Sequence, residues 1–231
     1  MKIQSLFAVP LVTANLPDCS ALNAQLKELF LRREAEGERW RNRAPTMDIP
    51  KGLFESNFDL FTWPDAGVQA LHDFCMGVLL RSVAELNQYT LAEMRGLEMQ
   101  NHCWFHITRR EGRFHSHNHP MASWSGVYCV SAGSHDADKP DSGVLHIQNP
   151  HQFANMFLDQ GNGRLTSVFS SRGTNVRLQD GQLILFPSWL FHEVLPYYGD
   201  SERITVAFNC WFRPRNATDG RFGNQPLPLH W

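Results

Sequence analysis

The segment "FHSHNHPMASWSGVY" (Phe114–Tyr128) places histidines at positions 115, 117 and 119. Along a strand, residues two apart point the same way, so a His-x-His pair can offer two imidazoles to one metal ion. Three alternating residues reach too far along a strand to close on a single ion, so a further ligand must come from elsewhere. His192, in "GQLILFPSWLFHEVLPY", is the distant candidate: an apolar strand lies between Gly181 and Pro187, and the histidine follows in the next turn. Three neutral imidazoles suit Fe(II), Zn or Cu, whereas two histidines and a carboxylate would point more sharply to non-heme Fe(II). No Asp or Glu lies between Phe114 and His135 to supply that carboxylate.

Eleven residues after His192 begins "RITVAFN" (Arg203–Asn209). Read as a strand, it puts Arg203, Thr205, Ala207 and Asn209 on one face and Ile204, Val206 and Phe208 on the other. The apolar face belongs to the core, so the other face carries an arginine inward. A buried guanidinium needs an anionic partner, and its fork suits a carboxylate. With Thr205 two residues on, this strand reads as a receptor for a small carboxylic acid that also reaches the metal.

The elements that must position these groups follow from periodicity. "SALNAQLKELFLRREAEG" sets Leu22, Leu26, Leu29 and Phe30 on one stripe of an amphipathic helix, with Asp18 or Ser20 as cap and Gly37 as stop. A longer helix is expected in "TWPDAGVQALHDFCMGVLLRSVAELN", opened by a Thr62-x-x-Asp65 capping pattern. Beyond about residue 98, short apolar runs alternate with turn formers. Strands are expected near Met99–Ile107, Trp124–Val130, Val144–Ile147, Leu165–Phe169, Asn175–Leu178, Gln182–Phe186 and Arg203–Phe212. The fold class is mainly β, a jelly roll with an N-terminal helical layer packed on it. One domain is expected over 1–231: a mostly helical part (1–97), the jelly-roll core (98–213) and a C-terminal tail (214–231).

The 231 residues carry 21 Lys and Arg against 23 Asp and Glu, a net charge of -2, which argues against nucleic-acid or anionic-membrane partners. The five scattered cysteines lack CxxC spacing, which predicts neither a disulfide framework nor a Cys-rich zinc site, and fits a reducing cytoplasm. The apolar start "LFAVPLV" is short and broken by Pro10, so no secretory signal is expected. No run approaches the roughly 18 apolar residues of a membrane span.

Four motifs, in this order, carry a family resemblance: "LFAVPL" (Leu6–Leu11), "HNHPMASWSGVY" (His117–Tyr128), "FPSWLFH" (Phe186–His192) and "RITVAFN" (Arg203–Asn209). With them the chain resembles the 2-oxoglutarate and Fe(II)-dependent oxygenases, closest to a group of small, mostly bacterial members. The resemblance implies a double-stranded β-helix and a metal on His117, His119 and His192, with His119 where the wider superfamily has a carboxylate. It sets His115 outside the ligand shell. It also implies that Arg203 holds the distal carboxylate of 2-oxoglutarate, with Thr205 assisting and Asn209 and Tyr128 also at the co-substrate. Trp104, Trp124 and Trp189 are further candidates for the pocket wall. The implied reaction consumes O2 and 2-oxoglutarate, yields succinate and CO2, and oxidises a C–H bond of a small-molecule or amino-acid-like substrate. A homodimer is compatible with this reading. Two other readings stand beside it. The "G-x5-P-x4-H" spacing at Gly181–His192 resembles a cupin motif, which would make a dioxygenase without co-substrate. A jelly roll could also hold the metal structurally, although closed structural sites have four ligands.

Overall fold

The computed structural model describes residues 1–45, 50–134, 136–151 and 156–215. The expected tail, 214–231, lies from residue 216 onward outside the described residues. Among the described residues, ten strands form two antiparallel sheets. The strands are β1 (Val12–Asn15), β2 (Leu53–Glu55), β3 (Leu97–Thr108), β4 (Phe114–His117), β5 (Trp124–Ser131), β6 (Leu145–Ile147), β7 (Thr174–Val176), β8 (Gln182–Pro187), β9 (His192–Val194) and β10 (Arg203–Pro214). A six-stranded major sheet runs β1-β8-β5-β10-β3-β2, and a four-stranded minor sheet runs β4-β9-β6-β7.

Helices α1 (Ser20–Ala35) and α2 (Ala66–Asn87) cover the outer face of the major sheet; α3 (Leu91–Arg95) leads into β3. The stripe predicted for α1 is the one it buries, through Leu26, Leu29 and Phe30. Phe30 stacks on Phe105 of β3 with ring centroids 4.2 Å apart. Val68, Leu71, Cys75 and Leu79 of α2 enter the same core as Tyr128, Val206 and Phe208. Each such side chain contributes about 1.5–3 kcal/mol by leaving water, so the helical layer and the sheet stabilise one another. A smaller core between the sheets holds Cys129, Leu145, Ile147, Ile184 and Phe186. Alternation along β8 divides Leu183 and Leu185 from Ile184 and Phe186, one pair to each core. Gly126 of β5 is required by this packing: a Cβ there would fall 2.1 Å from the ring of Phe208.

Three local expectations are corrected. Residues around Leu165–Phe169 form no strand but a 3-10 turn, Ser167–Phe169, whose Val168 and Phe169 are exposed; without a buried face, nothing holds the segment in a sheet. α2 starts after Asp65, not at Thr62, because Thr62 closes a preceding 3-10 turn and donates its hydroxyl to the Asp59 carbonyl. α1 takes Cys19 at its N-cap, and neither Asp18 nor Ser20 caps it. The short strands β1, β2 and β9 were not expected, since three or four residues carry too little periodicity to register.

Candidate functional site

Strands β4 and β9 pair with His117 directly opposite His192, which brings their ring centroids to 4.4 Å. His119 lies beyond the end of β4, in the turn before β5, where its backbone N–H donates to the Ser188 carbonyl at 2.8 Å. Its ring then stands 5.0 Å from that of His117 and 5.2 Å from that of His192. One ligand atom from each of the three lies within 4.8 Å of the others. Strand alternation predicted a His-x-His pair; the observed convergence uses a cross-strand pair and a turn instead. His192 likewise opens a strand rather than sitting in a turn. His115 is exposed, and it serves the cluster through its carbonyl, which accepts from His117 Nδ1 at 2.7 Å.

These contacts select a tautomer. The Nδ1–H groups of His117 and His192 donate to the carbonyls of His115 and Leu190, which turns both Nε2 lone pairs toward the cluster. Burial and the neighbouring imidazoles push His119 down to about 3 and His192 to about 4, and burial lowers His117 as well. All three are therefore neutral at physiological pH, the form that ligates a metal. The donor set fits a divalent transition metal of the Fe(II), Zn or Cu kind.

The triad opens on a cavity of about 360 Å³ between the sheets. Arg203, Thr205, Ala207 and Asn209 line it, on the face that alternation assigned them, while Ile204, Val206 and Phe208 enter the core. Arg203 is 5% exposed. Among the described residues, no carboxylate lies within 4 Å of its guanidinium and no hydrogen bond reaches it; the acidic groups beside it are Cys129 and Tyr197, and burial lowers its pKa from the ordinary value. Its aliphatic stem passes over Gly143, whose positive φ of 64° and lack of a Cβ leave the room; a Cβ would lie 3.2 Å from Arg203 Cδ. Thr205 is 2% exposed and carries a hydroxyl on the same face. Asn209 Oδ1 accepts from Ser125 Oγ at 2.7 Å, and Ser125 Oγ is 2.9 Å from Ser188 Oγ. That chain ties β10 to the carbonyl-bearing turn that holds His119.

Tyr128 does not belong to the site. It is fully buried on the helix-facing side of β5, where its hydroxyl donates to Asn23 Oδ1 at 2.7 Å. It shares that face with Val130, whereas Ser125 and Val127 face the cavity. Of the three tryptophans considered, Trp104 lines the cavity; Trp124 packs against the helical core, and Trp189 is half exposed outside.

A second wall was read in the sequence only at Trp104. His102, Trp104 and His106 of β3 alternate with Cys103, Phe105 and Ile107, which is the period of a strand with one chemical face. Glu55 of β2, paired with His106, completes it. Glu55 Oε2 lies 3.0 Å from His106 Nε2, and Oε1 accepts from Asn42 Nδ2 at 2.8 Å. Although burial works against ionisation, the bonds from His106 and Asn42 bring the Glu55 pKa below the usual carboxylate value.

By sequence, residues 102–209 match the family described as "Putative 2OG-Fe(II) oxygenase". The matched segment contains His117, His119, His192, Arg203, Thr205 and Asn209. No curated protein sequence matches the chain. Among solved structures, a prolyl-4-hydroxylase of Pseudomonas putida is similar at 20% identity with a TM-score of 0.56, covering 90% of this chain and 94% of that one. A prolyl hydroxylase of Trichoplax adhaerens, in complex with a hypoxia inducible factor peptide fragment, is similar at 13% identity and a TM-score of 0.54, covering 87% and 83%. HygX from Streptomyces hygroscopicus, with nickel, 2-oxoglutarate and hygromycin B bound, is 14% identical with a TM-score of 0.50, covering 90% and 84%. At these identities the structures establish a shared fold, the jelly roll. The family match thus spans the core that carries three of the four motifs, and the likeness in fold spans most of the chain.

Proposed function

We propose that this chain is a 2-oxoglutarate- and O2-dependent Fe(II) oxygenase that hydroxylates a small-molecule or amino-acid-like substrate. The observation that carries the reading is Arg203: a buried guanidinium with no carboxylate partner among the described residues, opening on the same cavity as three convergent neutral imidazoles. A buried cation left unpaired costs several kcal/mol, so the fold is complementary to an anion it has yet to bind. His117, His119 and His192 would hold Fe(II), and Arg203 with Thr205 would bind the distal carboxylate of 2-oxoglutarate. Fe(II) with this co-substrate supplies O2-dependent oxidation of a C–H bond, with 2-oxoglutarate leaving as succinate and CO2.

The chain's own groups do the rest. The carbonyls of His115 and Leu190 fix two imidazoles in the ligating tautomer. The Ser188 carbonyl holds the turn that presents His119. Apolar side chains such as Val127, Leu145 and Phe186 line the cavity and exclude water, which strengthens every charge interaction inside it. A cupin-type reaction needs no carboxylate receptor and leaves Arg203 without a role. Anaerobic addition of Fe(II), then 2-oxoglutarate, tests the proposal. A weak visible charge-transfer band and, with O2, succinate are the expected result. Absence of both overturns it.

A further inference from the structure

The cavity has two charged walls. Arg203 lies on β10, and Glu55 lies two strands away on β2, in the cross-strand row Glu55–His106–Thr205, about 10 Å end to end. The carboxylate site proposed for 2-oxoglutarate uses the first wall and leaves the second unassigned. Glu55 is 9% exposed. Among the described residues its only ion-pairing neighbour within 4 Å is a histidine, with no Lys or Arg in reach. Each carboxylate oxygen has two lone pairs, and the contacts to Asn42 and His106 use one on each. Two acceptor positions remain on a carboxylate that borders the cavity.

The surroundings of that carboxylate are aromatic. Phe58 lies against Trp104 with centroids 4.4 Å apart, and Phe114 lies against His106 at 4.3 Å; all four rings line the cavity. Phe114 also neighbours His117, and Trp104 neighbours His119, so this wall abuts the triad. A carboxylate among aromatic faces is the chemistry that recognises an organic cation: the carboxylate offers charge-assisted acceptors and the ring faces offer their negative quadrupoles. An anionic substrate would be repelled by the Glu55 carboxylate, and a wholly apolar one would leave its two remaining acceptor positions without a donor.

We infer that Glu55 and the rings around it form the recognition subsite for a substrate with a cationic head, an ammonium or guanidinium group on an aliphatic stem. The stem would then lie along the aromatic wall toward the histidines. This assignment rests on the oxygenase reading for its meaning as a substrate site, but the binding itself is testable without it. Glu55 acts as a specificity residue: it touches substrate and takes no part in holding 2-oxoglutarate.

Calorimetric titration of the full chain, metal-free and again with Ni(II) and 2-oxoglutarate, tests this with three probes: n-butylguanidinium, n-butylammonium and the neutral n-pentanol. The expected result is a preference of about tenfold or more for at least one cation over the alcohol, with the guanidinium and ammonium arms distinguishing the head group. Glu55→Gln is expected to abolish the preference, and Glu55→Asp to keep most of it. Equal binding of cation and alcohol by the unaltered chain, or no cation binding, overturns the inference whether or not a variant folds. So does a preference that survives in Glu55→Gln. 2-Oxoglutarate binding to the Ni(II)-loaded Glu55→Gln variant is expected to match that of the unaltered chain. If 2-oxoglutarate binds to neither, the oxygenase reading fails, while the cation preference stands or falls separately.

Discussion

The two sheets divide the work unequally. The major sheet has strands of up to 12 residues, one face against the helices and the other toward the cavity. The groups proposed for binding, Arg203, Thr205 and Asn209, and the cavity-lining His106 sit on long ladders in fixed register. The minor sheet consists of strands of three or four residues, yet it supplies His117 and His192. A recognition surface needs several side chains held at set intervals, which a long ladder provides. A metal centre needs only convergence at one point, which one cross-strand pair and one turn achieve. The difference teaches that the histidines are aligned by few contacts and the carboxylate receptor by many. Substitutions in the two sheets should therefore act on different observables.

The largest effect is expected at the minor sheet. His192→Ala should cost more in Ni(II) or Fe(II) affinity than the roughly 10–100-fold that loss of an outer partner costs. His115→Ala should change it little, because only the backbone of His115 serves the site. Equilibrium dialysis with metal analysis measures both. A strong effect of His115→Ala would break the assignment of the triad.

Next comes the major sheet. Arg203→Met should weaken 2-oxoglutarate binding by about 2–5 kcal/mol while leaving metal binding intact. The same substitution should stabilise the apoprotein, because it removes a buried charge that no carboxylate among the described residues compensates. Calorimetry and urea denaturation read the two separately. Loss of stability in the variant would show that the guanidinium is satisfied within the fold, contrary to the receptor role.

A smaller effect concerns pH. The folded chain holds His119 at about 3 and His192 at about 4, against 6.5 for an ordinary histidine. Below pH 6.5 the unfolded chain takes up protons that the folded triad does not, so apoprotein stability should fall between pH 6.5 and about 3. His119→Asn should flatten part of that decline, as urea midpoints across the range would show. A decline unchanged by the substitution would remove the triad as its source.

The smallest effect separates the faces of β5. Tyr128→Phe should cost about 1–3 kcal/mol, by leaving the buried Asn23 carbonyl without its donor, and leave 2-oxoglutarate affinity unchanged. A loss of 2-oxoglutarate affinity would return Tyr128 to the site.

Much of the fold was legible because long elements repeat their period many times. α1 declared its buried stripe through Leu26, Leu29 and Phe30, and β10 declared its two faces through seven residues of strict alternation. Elements of three residues repeat nothing, so β2 and β9 were invisible as strands, and with them the partner that Glu55 finds in His106. Tyr128 was misplaced because a motif match carries no information about which face of a strand a residue occupies. The exposed Val168 and Phe169 show the converse: apolar residues in a short run need a neighbour before they become a strand.

By itself, the sequence determined the class of fold, the inward face of Arg203, Thr205 and Asn209, and the identity of three of its histidines as a set, because periodicity and motif order are local properties. Only the tertiary structure decided how those histidines meet. His117 and His192 are 75 residues apart and converge through a cross-strand register, and His119 joins them through a bond to the Ser188 carbonyl. Only the tertiary structure, too, placed Glu55 beside His106, 51 residues away. Distances of that kind depend on which strands pair and in what register, and pairing is settled by the burial of whole faces rather than by any short stretch of chain.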